Sequence, residues 1–192
     1  GVYRVDYATK NYLADPAYYY SFRILYPVGT AKGVSVTAAD PDNAPFIDID
    51  LIHQPDLMIA SADNLCKSTS AVPMQFEHAL SQVSFSIKKD PQVTTTVYLD
   101  GMNATGHTQA GINYPGNTFE DISTTAAITV STPESQSFEI TTSQKNIADI
   151  LLFPGTGSDT NAYYLDMHLS DCTASFRLPA EDETWLAGYR YV

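Results

Sequence analysis

The stretch Phe76-Glu77-His78-Ala79-Leu80-Ser81-Gln82-Val83-Ser84-Phe85-Ser86-Ile87 decides the fold. In an extended chain Phe76, His78 and Leu80 share one face, whereas Val83, Phe85 and Ile87 share the opposite one. Strand side chains alternate with period two, so the inward set can move from even to odd positions only where an extra residue is inserted. One long strand with a bulge around Ala79 to Gln82 is expected. His78 then lies on the inward face, where an imidazole is more often a hydrogen-bonded core group than a base. On that placement His78→Phe leaves function alone and destabilises by roughly 1–3 kcal/mol, through a lost buried hydrogen bond or overpacking.

Outward from this stretch, helical periodicity is nearly absent and β-branched and aromatic residues recur in short runs. The runs are 18–28, 46–49, 56–60, 72–88, 93–99, 126–130, 137–141, 147–153, 162–169 and 173–178. Short, regularly spaced strands of this kind predict an all-β sandwich or barrel. Asp90-Pro91 ends the long strand, Asp100-Gly101 begins a turn, and Pro154-Gly155-Thr156-Gly157 forces another. Residues 102–121, rich in glycine and asparagine, read as an exposed excursion, and 40–45 as a second loop. With no internal repeat and no shift in composition, residues 1–192 read as one domain.

The chain has 192 residues, and 22 carboxylates against 10 lysines and arginines give it a formal charge of −12. Such a surface repels phosphate backbones, and only Lys88-Lys89 concentrates basic charge, so nucleic acid is excluded as a partner. A chain of this length can bury a core without metal or disulfide. No apolar run reaches the roughly 18 residues of a membrane helix. The start, Gly1-Val2-Tyr3-Arg4, has no signal-peptide core.

Chemistry is hard to find. His53, His78, His107 and His168 have no metal-ligand spacing, and no nucleophile motif occurs. Gly155-Thr156-Gly157-Ser158 lacks the Lys and the helix of a phosphate loop. Asp40, Asp42, Asp48 and Asp50 form a carboxylate cluster that reads as a solvated acidic edge, without the glycine and terminal Glu of a calcium loop. Neither cofactor nor metal is expected, and an enzyme is not expected. Cys66 and Cys172, far apart and flanked by polar loop residues, are either free thiols or a disulfide formed in an oxidising compartment. Tyr18-Tyr19-Tyr20 puts rings on both faces of one strand. These rings either pack between sheets or offer a flat surface on which a sugar can stack.

The signature stretch resembles that of the fimbrillin family, the pilus subunits and surface adhesins of Bacteroides-type bacteria, and the likeness covers most of the chain. Its other parts follow in the family's order: Phe22-Arg23-Ile24-Leu25-Tyr26-Pro27, Pro55-Asp56-Leu57-Met58-Ile59-Ala60, Leu99-Asp100-Gly101-Met102, Leu151-Leu152-Phe153-Pro154 and the close Trp185-Leu186-Ala187-Gly188-Tyr189-Arg190-Tyr191. The resemblance marks Phe76, His78, Leu80, Val83, Phe85, Trp185, Gly188 and Tyr189 as structural signature positions. It implies a transthyretin-like, Greek-key β-sandwich, the N-terminal domain of a pilin, exported as a lipoprotein to the outer membrane and cell surface. It also implies a non-enzymatic structural or adhesive subunit whose partners are other pilus subunits and a host protein or glycan, with membrane contact only through a lipid anchor on the precursor. In the family a protease removes an N-terminal strand after an Arg, and a strand of the next subunit fills the groove by main-chain pairing. This chain has no lipobox cysteine or leading strand and stops at Val192, so it is expected to be a fragment or trimmed form with an unfilled apolar groove. A carbohydrate-binding surface module, with Tyr18, Tyr19 and Tyr20 as ligand-binding residues, is the alternative.

Overall fold

A computed structural model describes residues 20–26, 28–29, 32–37, 46–65, 74–113, 119–130, 137–156 and 162–192. The strands, in chain order, are β1 (Tyr20–Tyr26), β2 (Val34–Thr37), β3 (Phe46–Asp50), β4 (Met58–Leu65), β5 (Phe76–His78), β6 (Ser81–Ile87), β7 (Tyr98–Asn113) and β8 (Phe119–Val130). They continue with β9 (Phe138–Glu139), β10 (Lys145–Leu152), β11 (Gly155–Thr156), β12 (Tyr163–Leu169), β13 (Thr173–Leu178), β14 (Thr184–Trp185) and β15 (Arg190–Tyr191). A 3-10 turn, Leu51–His53, follows β3. The all-β expectation holds.

The seven-stranded sheet runs β13-β12-β7-β3-β2, and the other edge of β7 carries β8 and β9. β12 covers one stretch of β7, up to Thr105, and β3 the next, from Gln109. Smaller sheets are β1-β4-β5, β10-β6-β15 and the pair β11-β14. Leu51, Leu57, Leu80, Leu99, Ile112, Leu152 and Trp185 belong to one buried cluster drawn from these sheets. Each such side chain contributes about 1.5–3 kcal/mol by leaving water.

Of the even-numbered set only Leu80 is inward, and the break between it and the odd-numbered set is not a bulge. β5 pairs with β4 and β6 with β10, so the chain leaves one sheet and enters another between His78 and Ser81. Ala79 and Leu80, consecutive in sequence, are both buried at this corner. The Ala79 N–H donates to the Leu57 carbonyl at 2.8 Å, which fixes the crossing. After the corner Val83 is buried and Phe85 and Ile87 pack against the same core, while Gln82, Ser84 and Ser86 occupy the other face. His78 is not a core residue: its side chain is 53% exposed. Because β5 is a short edge strand whose three residues are all exposed, it has no inward face for the imidazole to occupy.

Residues 102–113, expected as an excursion, belong to the longest described strand. Met102, Ala104, Gly106, Thr108, Ala110 and Ile112 alternate inward and are buried. Gly106 lies beside Tyr163 of β12, and a Cβ at Gly106 would meet the Tyr163 ring. The ring thus occupies the space that a larger residue at 106 would need. Its hydroxyl donates to the His107 carbonyl at 2.7 Å and accepts from the Phe153 N–H at 3.4 Å. Burial raises the pKa of this phenol strongly, and the Phe153 hydrogen bond offsets only part of that rise. Asp100-Gly101 is a register irregularity inside β7 rather than a turn, with Leu169 opposite Leu99 and His168 opposite Gly101. Pro154 is followed by the short strand β11, not by a free turn.

Candidate functional site

Four of the signature segments, those that hold Asp56, His78, Leu151 and Gly188, meet around one cleft. Its first wall is the passage from β3 to β4, where Asp50 caps the 3-10 turn by accepting from the Ile52 N–H at 3.0 Å. Gln54 ends that turn in the left-handed region, with φ of 47°. From there its side-chain amide reaches β10, 97 residues away: Oε1 accepts from the Leu151 N–H at 2.6 Å, and Nε2 donates to the Leu151 carbonyl at 3.2 Å. Nε2 also donates to the Leu51 carbonyl at 2.8 Å. Two residues on, the Asp56 carboxylate pairs with His78 Nδ1 at 2.7 Å, across the β4–β5 ladder that sets Met58 opposite His78.

The second wall is the closing segment. Trp185 is buried and stacks on Tyr191, with ring centroids 5.4 Å apart, and the Leu186 N–H donates to the Tyr191 hydroxyl at 2.8 Å. Gly188 takes a φ of +76°, a conformation side chains disfavour, and its N–H donates to the Leu80 carbonyl at 2.9 Å. Gln82 N–H then donates to the Tyr189 carbonyl at 3.0 Å, and β15 runs parallel to β6. This pins the main chain of Tyr189, a residue that remains 60% exposed at the rim of the cleft.

The floor is the polar face of β6 and β10. Gln82 Nε2 donates to Asp149 Oδ2 at 3.2 Å, Arg190 Nε to Ser84 Oγ at 2.7 Å, and Arg190 Nη2 lies 3.5 Å from Asp149 Oδ1. Both partners of this last ion pair are about half exposed, so it contributes roughly 0–1 kcal/mol and serves mainly to orient. The open cleft has a volume of about 520 Å³. A second hollow of about 320 Å³ shares Ala148, Asp149 and Arg190 with it and continues past Ser84, Ser86 and Asn146. The arrangement offers donors, acceptors and an aromatic ring at an open surface, which is binding chemistry.

The fimbrillin-like family model matches residues 3–192. The chain belongs to the fimbrillin-like family. Two solved structures resemble it in fold. A candidate cell adhesion protein from Bacteroides ovatus aligns with a TM-score of 0.50 and 14% identity, over 90% of this chain and 60% of that one. Another, from Bacteroides uniformis, aligns with a TM-score of 0.54 and 18% identity, over 90% of this chain and 65% of that one. This chain therefore spans under two thirds of the length of either. No curated protein matches it at a significant level.

The fimbrillin-like signature positions do not share one role. Leu80, Val83, Phe85 and Trp185 pack in or against the core, His78, Gly188 and Tyr189 line the cleft together with Leu80, and Phe76 is exposed on β5. The remaining expected site residues are not brought here. Tyr18 and Tyr19 lie outside the described residues, and Tyr20 begins β1 with its side chain outside them. Cys172 is an exposed thiol in the β12–β13 turn; Cys66, and with it any bridge, lies outside the described residues. Asp40 and Asp42 also lie outside them, and among the described residues no group of His, Cys, Asp and Glu is placed to hold a metal ion. Sequence reasoning missed Gln54, Gln82, Asp149 and Arg190. Only Asp149, a charge inside the run Ile147-Ala148-Asp149-Ile150, carried a visible signal.

Proposed function

We propose that this fimbrillin-like chain is a non-enzymatic structural or adhesive subunit of a bacterial surface fibre, joined to its neighbours by strand exchange. Family membership supports the fibre and surface reading. The exposed inner face of β13 supports the assembly step. Among the described residues β13 is an edge strand of the large sheet, and Phe176 stands opposite the core residue Leu165 in the ladder, hence on the core side, yet it is 48% exposed. An added strand would pair with the main-chain groups along the outer side of β13 and cover that ring, which is how an open sheet edge recruits an extended segment. The charge of −12 keeps separate copies apart until such an interface forms.

Several finer features complete this reading: a single domain over residues 1–192, a transthyretin-like order of strands, a lipid anchor on the precursor, outer-membrane display, and pilus subunits as partners. The test is limited digestion of the purified chain with an arginine-specific protease, followed by gel analysis of the products without boiling. A ladder of detergent-resistant multimers is expected, and Phe176→Asp, with an unchanged melting temperature, should remain monomeric. Absence of a ladder, or a ladder indifferent to Phe176→Asp, would sink strand exchange at β13.

A further inference from the structure

We infer that the cleft between β6, β10 and residues 186–191 binds a neutral oligosaccharide, an inference that rests on the adhesive half of the function proposed above. The first ground is shape. The cavity of about 520 Å³ is of the size that holds small molecules, about 300–1,000 Å³, and the adjoining hollow extends it along the sheet face. A groove in two joined compartments fits a chain of rings better than a single one.

The second ground is how charge is arranged. The Asp56 carboxylate is already paired with His78, and that of Asp149 with Gln82 and Arg190. The cleft thus holds one carboxylate–guanidinium pair and one carboxylate hydrogen-bonded to an imidazole, not a concentration of like charge that would select a highly charged ligand. A carboxylate that has accepted two hydrogen bonds still has lone pairs to accept hydroxyls, and amides and guanidinium groups keep N–H groups to donate. Side by side, Asp149, Gln82 and Arg190 present acceptors and donors in the spacing that neighbouring hydroxyls of a sugar can satisfy. Ser84, Ser86 and Asn146 carry neutral polarity into the second compartment.

The third ground is Tyr189. Its main chain is fixed by Gly188 and by the bond from Gln82, and the residue lines the rim of the cleft while remaining 60% exposed. A ring so placed adds little to the core and offers an apolar face for the C–H side of a sugar. The overall charge of −12 disfavours acidic sugars and anionic surfaces.

The 192-residue chain is titrated calorimetrically with malto-, manno-, xylo- and N-acetylglucosamine oligomers of increasing length, with sialyllactose and an oligolysine peptide alongside. Saturable binding of at least one neutral series is expected, rising with length and indifferent to salt. Tyr189→Ala and Asp149→Asn should each weaken it about tenfold or more at an unchanged melting temperature. The inference is overturned if no neutral series binds, if both variants bind as the parent does, or if oligolysine binds best with a steep salt dependence. A chain that assembles but binds no neutral sugar refutes the cleft and leaves strand exchange standing. One that binds sugar but never assembles does the reverse.

Discussion

The middle of β7 and the corner between β5 and β6 serve the same core by opposite means. β7 turns Ala104, Gly106, Thr108 and Ala110 inward, groups so small that the Tyr163 ring settles over the strand itself. The corner turns Ala79 and Leu80 inward together, so that a large side chain occupies the junction of two sheets. A surface of small residues is vulnerable to anything larger, and a corner held by leucine is vulnerable to anything smaller.

The largest expected effect tests the corner. Leu80→Ala should destabilise by about 2–5 kcal/mol, because a leucine at 3% exposure leaves a cavity at the junction of two sheets. Urea midpoints read this directly, and a loss under about 1 kcal/mol would mean that the corner can collapse. Next, Gly106→Val should cost about 1–3 kcal/mol by displacing the Tyr163 ring. The same substitution made in a Tyr163→Ala background should cost clearly less. Equal costs in the two backgrounds would show that the ring is not what the glycine accommodates.

Tyr163→Phe sharpens the contrast further. It removes a hydroxyl that joins the His107 carbonyl to the Phe153 N–H, and should cost roughly 1–2 kcal/mol at neutral pH. The phenol's folded pKa is raised by burial, so its contribution is complete below the ordinary tyrosine value of about 10 and is lost as pH rises above it. Urea melts on either side of that value should therefore show a steeper alkaline decline for the parent than for the variant. The smallest effect belongs to the exposed end of the corner, where His78→Phe should change stability by no more than about 0.5 kcal/mol. A larger loss would return the imidazole to a core role.

This contrast also explains what could be read in advance. The corner announced itself because Leu80, Val83, Phe85 and Ile87 are large enough for a change of parity to show. Its cause did not, since a bulge and a change of sheet leave the same pattern in one strand. Residues 102–113 of β7 read as a loop because their alanines and glycines bury little area and carry little β-propensity, although the alternation of buried positions is regular. Gly188 and Tyr189 were legible through resemblance. The polar floor was not, because Ser84 and Arg190 meet across 106 positions and Gln54 and Leu151 across 97, in registers no local pattern encodes.

Gln54 has a consequence for direction. Its amide takes both main-chain valences of Leu151, so one side chain acts there as a strand one residue long. That stops the outer border of β10 at a point where another chain would otherwise have begun to pair. Among the described residues, β10 thus has a border plugged from within, whereas β13 ends its sheet with no described strand beyond it. Copies joining through unlike surfaces propagate, whereas copies joining through like surfaces pair off and stop. A fibre grown from such subunits would have a front and a back, set by a single amide turned inward at the end of a short helical turn.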